Sequence, residues 1–176
     1  MLFGNSARSQ SCGGTLVGDK YIVTAAHCTH GLQPGSLKVL IGDTILGGAR
    51  DNSSFIIDVQ SIKQHEHYSS RTTENDIAIL TLAQKVNLTA FPNIKPLCLP
   101  QTFKSYGGKT GVVSGWGTVG SGLSLNAHLH EVTVNIHRDD ECGRMSSYMT
   151  EDMICAGLLS GGKDSCQVCL FVHVAG

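Results

Sequence analysis

Apolar positions along the chain recur in short runs, broken by clusters of Gly, Asp, Asn and Ser, and the runs are too brief and too alternating for helices. They fall at residues 15–17, 21–23, 37–41, 55–62, 77–82, 112–113 and 130–136. In the last run His130, Val132, Val134 and Ile136 share one side of an extended chain, with Glu131, Thr133 and Asn135 on the other. That alternation predicts a strand with one buried side. One short helix is predicted over 138–145, where Asp139, Asp140 and Glu141 come early and Arg144 late, the charge order that a helix dipole favours. The pattern is that of an all-β protein.

Pro92, Pro96 and Pro100 fall close together, with Leu97 and Leu99 between the last two and Phe91 just before the first. Such a stretch reads as an extended connector that cannot pair on both sides. The expected organisation is a first unit over 1–91, a connector over 92–100 and a second unit over 101–176, each small for an independent core.

Composition narrows the function. The chain has 176 residues, 41% of them hydrophobic, with 13 Lys+Arg against 14 Asp+Glu and a net charge of −1. No basic cluster offers the footprint that nucleic acid or an anionic membrane requires, so neither is an expected partner. No apolar stretch approaches the ~20 residues of a spanning helix. Met1-Leu2-Phe3-Gly4 lacks the charged start and apolar core of a signal peptide. Seven cysteines (Cys12, Cys28, Cys98, Cys142, Cys155, Cys166 and Cys169) and two sequons, Asn52-Ser53-Ser54 and Asn87-Leu88-Thr89, point instead to a parent protein made for an oxidising, extracellular setting. The conflict leads us to expect an incomplete amino terminus, and the odd count leaves at least one thiol unpaired.

Four short segments carry chemistry. Tyr21-Ile22-Val23-Thr24-Ala25-Ala26-His27-Cys28 ends an apolar strand in small residues and a histidine, and Asn75-Asp76-Ile77-Ala78-Ile79-Leu80 puts an aspartate before a second apolar strand. Val113-Ser114-Gly115-Trp116-Gly117 follows, and the fourth is Met153-Ile154-Cys155-Ala156-Gly157 running into Lys163-Asp164-Ser165-Cys166-Gln167. In this order they resemble the trypsin-like members of the chymotrypsin/trypsin family of serine endopeptidases, nearly to the end of the chain. The resemblance implies a trypsin-like double antiparallel β-barrel with the active site in the cleft between the barrels. It implies that His27 is the proton acceptor, that Asp76 holds its tautomer and stabilises its charged form, and that Asp164 is the pocket-floor carboxylate that selects Lys or Arg. It further implies bridges Cys12–Cys28, pinning His27, and Cys142–Cys155, with protein or peptide substrates bearing Lys or Arg. No metal or cofactor is expected.

The resemblance breaks after Gln167. The family continues with Gly-Asp-Ser-Gly-Gly-Pro, whereas this chain reads Val168-Cys169-Leu170-Phe171-Val172-His173-Val174-Ala175-Gly176. Val168 stands where the oxyanion glycine belongs, Cys169 where the aspartate that pairs with the activated amino terminus belongs, and Leu170 where the nucleophilic serine belongs. Cys169 sits one place early, and on an extended segment its side chain would face away. The family's Ile-Val-Gly-Gly start is also missing, so the resemblance implies truncation at both ends and an incomplete second barrel with a divergent tail from 168. A barrel missing strands would expose edges, and Leu170-Phe171-Val172 would add to the exposed apolar surface.

The remaining patterns are weak. Cys166-Gln167-Val168-Cys169 is formally Cys-x-x-Cys but lacks a second ligand pair, while His65-x-His67 and His128-x-His130 lack a third ligand. The reading that results is a trypsin-like serine endopeptidase homologue, inactive in this chain for want of a nucleophile. Two alternatives stand beside it: a non-catalytic binding module that engages protease-cascade proteins, and a truncated product without function.

Overall fold

The structure is a computed structural model, and it describes residues 2–4, 10–45, 54–101, 105–117, 127–145, 149–150, 153–158 and 169–174. The chain divides into two compact units, Met1–Leu99 and Pro100–Gly176. In the first are β1 (Leu2–Gly4), β2 (Gln10–Cys12), β3 (Thr15–Val17), β4 (Tyr21–Thr24), β5 (Leu37–Ile41), β6 (Phe55–Gln64) and β7 (Ala78–Leu82). They form one sheet in the order β2-β1-β5-β6-β7-β4-β3, antiparallel throughout. The two edge strands, β2 and β3, are joined only by Gly13-Gly14, so the sheet must curl until its edges approach, which is how a sheet becomes a barrel.

Alternation decides what lies inside. Leu37, Val39 and Ile41 of β5 are buried, as are Ala78, Leu80 and Leu82 of β7, while the residues between them are more exposed. Ile22 and Leu16 complete the packing, with Val86 and Ile94 from the chain beyond β7. In β6 the alternation changes phase. Ile57 and Val59 point inward, then the register against β7 shifts between Val59 and Ser61, and Ile62 packs against the core instead. A β-bulge of this kind swaps the faces of everything after it, so Gln64 joins the inner side.

The second unit contains β8 (Thr110–Gly115), β9 (His130–Ile136), α1 (Asp139–Met145), β10 (Ala156–Gly157) and β11 (Cys169–Val174). Its sheet runs β10-β9-β8-β11, again antiparallel, with β10 and β11 at open edges among the described residues. The chain is thus nearly all β, and its second sheet has four strands among the described residues. Val134 and Ile136 of β9 are buried and Val132 half-buried, whereas His130, expected on the same buried side, is exposed where the strand leaves the core. The tail segment Cys169–Val174 pairs along β8, with a register shift between Leu170 and Val172.

The turn between β3 and β4 is tied to the segment after β7. Leu82 and Val86 donate backbone hydrogen bonds to the carbonyls of Lys20 and Asp19, at 2.9 and 2.7 Å, and Lys85 Nζ donates to Asp19 Oδ2 at 2.7 Å. That side-chain hydrogen bond holds the Asp19 carboxyl below its ordinary value and the Lys85 ammonium above its own. The Asp19 contribution is therefore present above the ordinary aspartate value and is lost as pH falls through the lowered one. In an NMR titration Asp19 will titrate below an ordinary aspartate and move back up in Lys85→Ala. Leu80 is fully buried, so Leu80→Ala will cost about 2–5 kcal/mol of stability by urea unfolding.

Candidate functional site

The site is built on the turn that follows β4. Thr24 and Ala26 are almost fully buried, and only small side chains fit where this strand end meets the Cys12–Gly13 backbone. Thr24 Oγ1 donates to the Gly13 carbonyl at 2.8 Å. The turn then closes on itself, with the Cys28 amide donating to the Ala25 carbonyl at 3.3 Å and the Thr29 amide to that of Ala26 at 3.0 Å. A disulfide joins Cys28 to Cys12, with Cα atoms 6.0 Å apart. From β6, Gln64 Nε2 donates to the Ala26 carbonyl at 3.0 Å and to Thr29 Oγ1 at 2.9 Å. His27 is therefore displayed on a turn held covalently on one side and by a buried polar clamp on the other.

Asp76 arrives from the loop between β6 and β7. The loop is closed by the His65 amide donating to the Ile77 carbonyl at 3.0 Å. Thr73 and Asn75 adopt left-handed backbone conformations, φ 58° and 54°. Asn tolerates this region, and a β-branched Thr does so only under constraint. Here the Thr73 amide donates to the Ser69 carbonyl at 2.8 Å. The Ile77 amide reaches back to the Asn75 carbonyl at 2.7 Å, a three-residue turn with Asp76 at its apex.

Both carboxylate oxygens of Asp76 are then used on one residue. Oδ1 accepts from the His27 backbone amide at 2.8 Å, and Oδ2 lies 2.7 Å from His27 Nδ1. An ionised carboxylate only accepts, so the ring proton belongs on Nδ1 and the Nε2 lone pair stays available. Nε2 lies 3.4 Å from Cys28 Sγ, but a bridged sulfur has no proton to donate, so this is contact rather than a hydrogen bond. The His27 side chain is 58% exposed and that of Asp76 23%. The arrangement can take a proton on Nε2 from a group in solvent and stabilise the resulting imidazolium through Asp76.

The other expected residues fall as follows. Cys142 and Cys155 are bridged, joining α1 to the residue just before β10, and Cys98 is a free, exposed thiol. Leu170 lies on β11 in register with Ser114, and only its backbone is described. Asp164 and Cys166 lie outside the described residues, as does Asn52. The His65 and His67 rings are 5.8 Å apart, and among the described residues no third ligand joins them. The ligand atoms of Cys12, His27 and Cys28 do converge, all within 4.8 Å, but with the cysteines bridged there is no thiolate for a metal. Sequence reading missed Gln64, Thr29 and Asn75. Gln64 lies beyond the alternation that ended at residue 62, and only the bulge before it turns it inward.

The comparisons with known proteins decide the family. The Trypsin family model matches residues 1–168. This chain belongs to the trypsin family. Its similarity extends to individual family members: it is 38% identical over 167 residues to Trypsin Blo t 3 of Blomia tropicalis, covering 90% of this chain and 60% of that protein. It is 35% identical over 173 residues to Proclotting enzyme of Tachypleus tridentatus, covering 91% and 46%. To Serine proteinase stubble of Drosophila melanogaster it is 32% identical over 172 residues, covering 94% and 22%. The chain thus spans 60% or less of the length of each of these relatives.

In this trypsin-family chain, the carboxylate at 76 sets which imidazole nitrogen carries the proton. Asp76→Asn will keep an acceptor for the His27 amide but turn an NH₂ group toward Nδ1, driving the ring proton to Nε2. Nitrogen-resolved NMR of the imidazole will report the change of tautomer, and an unaltered Nδ1–H pattern would contradict the assignment.

Proposed function

We propose that this chain is a trypsin-like serine endopeptidase homologue that retains the acid–base half of the hydrolytic machinery and lacks the attacking half. The observation that carries the reading is the two-point hold of Asp76 on His27, 2.8 Å to its amide and 2.7 Å to its ring, in a chain with leucine at position 170. His27 would act as general base toward a serine hydroxyl, with Asp76 orienting it. Asp164 would receive a Lys or Arg side chain at the floor of the specificity pocket. Leu170 brings no hydroxyl, and Val168 and Cys169 replace the residues that would build and order the oxyanion hole. In proteases of this mechanism, loss of the nucleophile lowers turnover by about 10⁶.

Protein or peptide partners bearing Lys or Arg are the class this reading supports, with proteins of protease cascades among them given the likeness to Proclotting enzyme. Extracellular placement of the parent protein is supported by the two disulfides and by the exposed Asn87 of a glycosylation sequon. No helix among the described residues is long and apolar enough to cross a membrane.

A fluorophosphonate probe and an arginyl ester test the reading together. The purified chain will remain unlabelled and will hydrolyse the ester about 10⁶ times more slowly than an active trypsin. Covalent labelling or rapid turnover, abolished by His27→Ala, would overturn it.

A further inference from the structure

We propose that the Cys12–Cys28 pair, once reduced, forms with His27 a zinc-binding site in which Asp76 orients the imidazole. The proposal is independent of any protease activity and of the residue at position 170. It begins with a distance: the 3.4 Å between His27 Nε2 and Cys28 Sγ. Zinc bonds of about 2.3 Å to sulfur and about 2.0 Å to nitrogen, set at tetrahedral angles, separate the two donors by about 3.5 Å. The same geometry separates two thiolates by about 3.8 Å. All three ligand atoms already lie within 4.8 Å of one another, so the only adjustment required is the parting of the two sulfurs. Side-chain rotation supplies it, since the Cα atoms are 6.0 Å apart.

Three features prepare the site. The imidazole is presented in the required tautomer, because Asp76 Oδ2 at 2.7 Å keeps the proton on Nδ1 and leaves Nε2 as the donor. A carboxylate behind a metal-bound histidine fixes its ring orientation and raises its basicity. The cysteines also stay adjacent without their bond. Gly13, next to Cys12, is tied to Thr24 at 2.8 Å, β3 remains paired with β4, and Gln64 grips Ala26 and Thr29 on either side of His27 and Cys28. The exposure of His27 leaves a fourth coordination position open to water. Two thiolates and an imidazole suit zinc, whereas calcium and magnesium prefer oxygen ligands.

The chemistry balances with a trialkylphosphine as reductant. Phosphorus attacks one sulfur and the S–S bond breaks. Water then supplies the oxygen of the phosphine oxide and the two protons of the thiols, phosphorus losing the two electrons that the disulfide gains. Zinc displaces one proton from each thiol and takes the Nε2 lone pair. In this form His27 is no longer a base, so the redox state of one bridge selects between proton transfer and metal binding.

The test is cobalt(II) and zinc titration of the full chain, with and without phosphine. The reduced chain will gain a thiolate-to-cobalt charge-transfer band beyond any that the unbridged cysteines give in the oxidised chain, and zinc will displace the cobalt. The paired change Cys12→Ser and Cys28→Ser will remove the part of the band due to this site, His27→Ala will lower affinity at least tenfold, and Asp76→Asn will lower it about 10–100-fold. His27 is exposed, so His27→Ala decides the matter even where the cysteine variant loses its fold, with circular dichroism confirming that the strands persist. A band of unchanged intensity and affinity in His27→Ala would overturn the proposal and assign the metal to other thiols. So would the absence of any band after reduction.

Discussion

The carboxylate of Asp76 ties together two chain ends that the pairing of β4 with β7, Thr24 opposite Ala78, brings side by side. One oxygen holds the backbone of the turn after β4 and the other holds the ring of the residue at its tip, at 2.8 and 2.7 Å. A single hydrogen bond would leave the imidazole free to rotate about its side-chain torsions. Two bonds from one rigid group to the main chain and the ring of the same residue fix position and orientation together. The strained approach of the loop follows from this demand. A left-handed Asn75 and a tight turn closed from Ile77 aim a short side chain at a target across the sheet.

Around that contact the barrel provides stiffness rather than chemistry. Leu80 and Leu82 of β7 are fully buried directly after Asp76, and Ile22 of β4 lies just ahead of the His27 turn, so each functional residue is anchored by a core strand adjoining it in sequence. The bulge in β6 adds the third support. Without the phase change between Val59 and Ser61, Gln64 would face solvent, the buried Thr29 hydroxyl would lose its donor, and the Ala26 carbonyl would keep only its hydrogen bonds from Thr29.

Residues 37–41 and 77–82 were legible as strands because each is a short, mainly apolar run that follows a turn-forming residue. The strands β2 and β10 are three and two residues long, too short for any period to show. The tail strand went unpredicted for a different reason. An unbroken apolar run carries no alternation, and only the open edge of β8, a property of another segment, explains its pairing. The same limit hid Gln64, whose inward direction depends on the register of β6 against β7 and not on any residue near it in sequence. His27 and Asp76 were legible only through the family resemblance carried by the segments around them, Thr24-Ala25-Ala26-His27-Cys28 and Asn75-Asp76-Ile77-Ala78.

The pairing of His27 with Asp76 has a structural role that requires no turnover. His27, Asp76 and every group that holds them belong to the first unit, while residue 170 belongs to the second. The hydrogen bonds of the dyad also close the loop between β6 and β7 onto the turn after β4, so Asp76 serves the fold whether or not a proton ever moves. Losing it would strand the His27 amide.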